Sequence, residues 1–180
     1  MEYIANKQNK TDEMIFSIPD LYKYLDNKYV NSINFEHTYF LTEKVADSLL
    51  GMLGYKVMKK KYFEDHSIFY YVQYIGKSHT FFNSIEFYQE YKKMYLDMID
   101  FYRKEVVTLN EKMESFNGKV YLFGGHIFSQ FLIYIGLRED KIEAIIDNSN
   151  EKKGKRLYGT GLYVFNPSVI ENESQVLVIV

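Results

Sequence analysis

KVYLFGGHIFSQFLIYIGLREDKIEAIID, residues 119–147, decides the fold. Lys119–Phe123 is a short apolar run and reads as a strand. Gly124-Gly125 reads as a tight turn. His126–Ile135 reads as a helix, with Phe128, Phe131, Leu132 and Ile135 as its apolar positions. Ile142–Ile146 reads as a second strand, ending in Asp147-Asn148. Strand, helix and strand of this length require a parallel pair joined by a crossover, which is right-handed almost always. Gln175–Val180, QVLVIV, supplies a third strand. The fold class is therefore α/β, with a parallel module over residues 118–180.

Upstream of this module lies the longest periodic segment of the chain. Tyr88, Tyr91, Tyr95, Met98, Tyr102, Leu109 and Met113 recur at steps of three, four or seven, and charges fill the opposite face. The spacing predicts one helix from Ser84 to Glu114, stopped at Asn117-Gly118. It forms the boundary between two units, at residues 84–117. Its aromatic stripe reads as core, or as the seam of a homodimer.

Residues 1–83 are less regular. Glu13–Ile18, EMIFSI, reads as a buried strand closed by Pro19-Asp20. Leu21–Tyr29 is weakly helical or irregular, and Asn31–Leu41 is a loop with embedded aromatics. Thr42 is placed to cap a helix through Leu53, with Val45, Leu49, Leu50 and Leu53 on one face and Gly54 just past its end. Tyr55–Met58 and Ser67–Tyr74 read as strands, with Lys59–His66 as the polar connection.

Composition narrows the function. The 180 residues are 47% hydrophobic, enough for a real core. A net charge of -2 gives no nucleic-acid footprint, so no nucleic-acid partner is expected. With no cysteine, disulfides and thiolate metal sites are excluded. No apolar run approaches the ~18 residues a membrane span requires, and Met1–Lys10 has no signal core. A cytoplasmic protein with no membrane partner is the expectation.

Three constellations can carry chemistry. Gly124-Gly125 follows a strand and opens a helix, where a glycine lets the backbone approach a phosphate. Asp147 lies 23 residues past Gly124, close to the ~20 expected of an acid that meets a ribose hydroxyl. These three are the candidate substrate- or nucleotide-binding residues. The full G-x-G-x-x-G pattern fails, because His126 and Ser129 stand where glycines belong. The competing reading is a Rossmann-like module that binds nothing tightly. The second constellation is Asn34-Phe35-Glu36-His37-Thr38-Tyr39, before the capped helix. His37 can exchange a proton near neutral pH, and Glu36 can raise its basicity. The plainer reading has His37 buttressing that helix. The third, Glu64-Asp65-His66, has metal-ligand types, but consecutive residues do not all face one ion, and a solvated turn is expected. No metal is expected.

Phe35-Glu36-His37-Thr38-Tyr39-Phe40 and the helix to Gly54-Tyr55-Lys56-Val57 resemble the end of a class I S-adenosylmethionine-dependent methyltransferase domain, of the sugar C-methyltransferase type. The family tyrosine of this loop falls on Asn34. The stretches VYLFGG, IEAIIDNSNEKKGKRLYGTGLYVFNPSVI and VLVIV resemble the C-terminal domain of the same enzymes. The resemblance implies late strands of a methyltransferase sheet over residues 1–83, without the cofactor glycine loop. It implies a truncated Rossmann-like module at the end of the chain. It also implies a complementary methyltransferase half as partner, and a sugar nucleotide or similar small metabolite as substrate, in surface-polysaccharide synthesis. His37 is then the catalytic base and Glu36 its orienting partner. S-adenosylmethionine is the cofactor of the complete enzyme, bound poorly by this chain alone. The alternative is a non-catalytic nucleotide-binding or assembly module derived from such an enzyme.

Overall fold

The computed structural model describes residues 12–33, 39–76 and 85–180. The chain divides into two compact units, Met1–Met98 and Ile99–Val180.

The first unit is built on three antiparallel strands, β1 (Glu13–Pro19), β2 (Tyr55–Phe63) and β3 (Ser67–Tyr74), in the order β1-β3-β2. β1 is an edge strand whose residues alternate between the two faces, not the fully buried strand its apolar run suggested. Met14, Phe16 and Ile18 face inward, and the Phe16 ring stacks on Tyr70 at 5.1 Å. A short helix α1 (Leu21–Asp26) follows, its first turn capped by Asp20, which accepts from Lys23 N–H. Helix α2 (Glu43–Met52) starts as expected at Thr42, whose Oγ1 accepts from Val45 N–H at 3.2 Å. It buries Ala46 and Leu50 against the sheet, whereas Leu49 turns outward.

β2 runs through the lysines that the sequence placed in a connection; the real turn is Glu64–His66. The reason is a bulge between Val57 and Lys59, which inserts Met58 and resets the alternation. Lys60 therefore points inward, opposite Tyr70. There it donates to Glu43 Oε1 at 2.6 Å and Asp47 Oδ2 at 2.5 Å, while Tyr62 donates to Glu43 at 2.7 Å. Burial works against the Lys60 charge, but the two carboxylates outweigh it and raise its pKa.

Helix α3 (Ile85–Ser115) is continuous, as the spacing implied. Met98, Val106 and Met113 are buried along it, and Met98 packs within the chain against Ser32. Tyr88 and Tyr95, which the periodicity put on the same stripe, are exposed.

The second unit holds four parallel strands: β4 (Lys119–Phe123), β5 (Ala144–Ile146), β6 (Val164–Phe165) and β7 (Val176–Ile179), in the order β6-β5-β4-β7. Helix α4 (Ile127–Tyr134) is the crossover from β4 to β5. Its Phe128 and Phe131 meet Tyr102 of α3 edge-on at 5.8 and 5.4 Å. This face of the sheet carries the main core, including Val106, Val120, Leu122, Leu132, Ile145 and Ile179. A smaller cluster of Tyr121, Ala144 and Ile146 lies on the other face, under Ile170.

Adjacent leucines of α2 test the packing. Leu50 is 1% exposed and Leu49 37%. We expect Leu50→Ala to cost about 2–5 kcal/mol in urea unfolding, and Leu49→Ala well under half of that.

Candidate functional site

The order β6-β5-β4-β7 makes β4 the strand from which the chain first moves to one side and later returns on the other. In open parallel sheets, ligands sit outside the carboxyl ends of the strands at such a switch point. Here that end of β4 is Phe123, followed by Gly124, Gly125 and His126.

The loop is held mostly by its own residues. Gly124 has φ +97°, a left-handed conformation that glycine tolerates best, and a Cβ there would run into the His126 imidazole. Gly124 N–H donates to Ile146 O at 2.8 Å, and His126 N–H to Gly124 O at 3.0 Å. Gly125 N–H donates to Asp147 Oδ2 at 2.7 Å. The first N–H groups of a phosphate-binding turn are thus already satisfied. His126 is the N-cap of α4, its Nδ1 accepting from Phe128 N–H at 3.2 Å. That role needs an unprotonated Nδ1. Partial burial and the Lys152 ammonium favour it by lowering the imidazole pKa, against the opposing effect of Asp147. Ser129, fully buried, donates to Gly124 O and ties the helix to the loop.

Asp147, at the end of β5, is the hub. Oδ2 also accepts from Lys152 Nζ at 2.9 Å, and Oδ1 accepts from Ser149 N–H at 2.8 Å. Burial alone would raise its pKa, but Ser149 N–H, Lys152 and Gly125 N–H bring it down to about 2. A carboxylate oxygen has two acceptor positions, and Ser149 N–H fills one of those on Oδ1. The structure therefore brings Gly124, Gly125 and Asp147 to one place, as the spacing implied, and joins two of them by a direct hydrogen bond. Lys152 and Ser149 were not singled out in the sequence. No spacing marks them, because their approach to Asp147 depends on the path of the chain after β5.

His37 and Glu36 lie outside the described residues. Glu64-Asp65-His66 is the turn between β2 and β3, with His66 Nδ1 on Ser67 Oγ at 2.5 Å. Among the described residues no group of three ligand side chains can hold a metal. No described helix is long and apolar enough to cross a membrane.

A family model described as the C-methyltransferase C-terminal domain matches residues 74–180. The chain belongs to this family. The match takes in α3, the four parallel strands and the Asp147 hub together. Comparison with curated proteins finds no match. The α/β class and the parallel module expected from residues 119–147 agree with both the family and the structure, and the chain is a portion of a methyltransferase.

Asp147→Asn should separate the hub's structural part from any ligand role. The amide keeps the shape but loses the charge that holds Lys152 and two N–H groups. We expect a loss of roughly 1–3 kcal/mol at pH 7. The native pKa lies below the ordinary carboxylate value, so the charge stabilises above that value and its contribution is lost as pH falls through about 2. Unfolding curves of the two proteins should converge over that acid range; a constant gap would show that the charge is not what holds the loop.

Proposed function

We propose that this chain handles the acceptor in a S-adenosylmethionine-dependent C-methyltransferase acting on a sugar nucleotide or similar small metabolite, in surface-polysaccharide synthesis. The single observation that carries the reading is the family match over the module that contains Asp147. S-adenosylmethionine supplies an electrophilic methyl group. The work of the chain is then to bind the acceptor and to take a proton from it as the new bond forms.

His37 is the proposed base and Glu36 its orienting partner. An acceptor carbon must lose a proton to become the nucleophile, and an imidazole whose pKa lies near neutrality suits that transfer. The nucleotide end of the acceptor is assigned to Gly124, Gly125 and Asp147. Asp147 Oδ1 accepts a ribose hydroxyl, and Lys152 faces the phosphates. Each group serves one atom of the ligand, which fixes orientation without covalent chemistry. The cofactor is assigned to a complementary methyltransferase half, since the one glycine turn after a parallel strand among the described residues spends its Gly125 N–H on Asp147. A homodimer through the exposed α3 aromatics is a second way to complete the assembly. We place the protein in the cytoplasm, where activated sugars and S-adenosylmethionine are made.

One observation favours the other reading, a non-catalytic nucleotide-binding or assembly module. The Gly124-Gly125 loop is already satisfied and His126 already caps its helix, so the site needs no phosphate to be complete.

Two measurements separate them. With the complementary half present, His37→Ala should lower methyl transfer by ~10²–10⁴ with cofactor affinity unchanged; unchanged turnover would leave His37 a structural residue. Calorimetric titration of S-adenosylmethionine into this chain alone should give no binding in the micromolar range, whereas UDP-glucose should bind and lose affinity in Asp147→Asn. Tight cofactor binding by the isolated chain would overturn the division of labour.

A further inference from the structure

Each glycine of the turn after β4 is roofed by a basic side chain. The His126 ring lies against Gly124, where a Cβ would run into Nε2. The Lys152 stem and Asp147 Oδ2 lie over Gly125, each 3.5 Å from where its Cβ would stand. At Gly124 the missing side chain makes room, and the imidazole takes that room. The ring itself is not locked in. Nδ1 accepts from Phe128 N–H at 3.2 Å, the Phe128 ring stacks beside it at 6.4 Å, and the residue is exposed.

A helix N-cap must accept a hydrogen bond. Asparagine and serine do so at any pH near neutrality. Histidine stops when Nδ1 takes a proton, because Nδ1–H then meets Phe128 N–H, donor against donor. The charged groups acting on the ring are the Lys152 ammonium and the Asp147 carboxylate. Partial burial and Lys152 oppose the imidazolium, and Asp147 favours it. Asp147 is already engaged by Gly125 N–H, Lys152 and Ser149 N–H. The neutral ring, and with it the cap, therefore prevails in the empty turn. An anion beside the ring reverses this balance. The turned ring then leaves Phe128 N–H and the Gly124 face open. Lys152, the imidazolium and Phe128 N–H together suit an ion with several acceptor oxygens.

We propose that His126 is a proton-operated gate on the Gly124-Gly125 turn. Neutral, it caps α4 and closes the turn. Protonated, it swings out and, with Lys152, receives a phosphate group of the ligand. The inference rests on reading this turn as the nucleotide end of the acceptor site. Ligand and proton then favour each other's binding, so the phosphate is taken up together with a proton. The gate also accounts for a loop that is complete without a ligand, since the imidazole stands in the phosphate's place until it is displaced. Asparagine would cap α4 as well as histidine does; what the histidine adds is the ability to let go.

The test uses the full chain with and without ligand. Without ligand, the hydrogen-exchange protection factor of the Phe128 amide should fall as pH drops from about 7.5 to about 5, because the native ring titrates below the free imidazole value. Gly124 N–H, bonded to Ile146 O, should stay protected throughout. His126→Asn keeps an acceptor at the cap, so its Phe128 protection should not depend on pH; His126→Ser, a second good cap, repeats the comparison. Lys152→Gln removes an opposing charge and should move the transition to higher pH. With ligand, UDP-glucose is the probe, because its diphosphate diester carries no group that titrates in this range. Its affinity should rise about tenfold between pH 7.5 and pH 5 in the natural chain, and less than about twofold in His126→Asn. Uridine should show no rise. A rise for UDP-glucose but not for sulfate assigns the gate to a nucleotide diphosphate, and a rise for both assigns it to free phosphate-like anions as well. Constant Phe128 protection, or the same pH dependence of UDP-glucose affinity in both proteins, overturns the gate and leaves the nucleotide site standing. A Phe128 transition with no UDP-glucose binding by any of the proteins at either pH overturns the nucleotide reading and the gate with it.

Discussion

Strand β4 has a parallel partner on each side, and a parallel partner is not reached by a tight turn. Most of the second unit follows from that constraint. The chain must leave the carboxyl end of β4, climb back along the sheet as α4, and re-enter as β5. It must later cross to the other flank to lay down β7. Both departures converge on the same end of the sheet, which is where Gly124, His126 and Asp147 meet. The hub stands there because the topology brings chain ends together at that point, and Asp147 then fixes the spacing between them with three donors.

The parallel module was largely legible in the sequence, for a physical reason. Its central strands β4 and β5 are buried on both faces and read as unbroken apolar runs, and the glycines mark where the period changes from strand to helix. β6 was not legible, because two residues, Val164-Phe165, carry no periodicity. The Asp147 spacing gave proximity but not partnership. That its oxygens would be taken by Gly125, Ser149 and Lys152 depends on the path of the chain after β5, which spacing does not encode.

The first unit was harder to read because, among the described residues, its sheet is packed on one face. Lys59–Lys61 looked like a solvated connection, since three lysines in a row are rarely a strand. The bulge at Met58 and the carboxylates of Glu43 and Asp47 supply what makes them one. Leu49 and Leu50 could not be told apart by composition; the direction of α2 on the sheet separates them. At the candidate base, the sequence offers residue types and a neighbouring helix, and the case for His37 remains chemical.

The bulge at Met58 also acts as a reading frame. Beyond it, every residue of β2 takes the face its number would otherwise deny it. If Met58 instead paired with Tyr71 in an unbulged ladder, Lys59 and Lys61 would turn to the core side and Lys60 would leave its two carboxylates. The extra residue is what lets Lys60, three positions past Val57, lie on the same face of the strand as Val57.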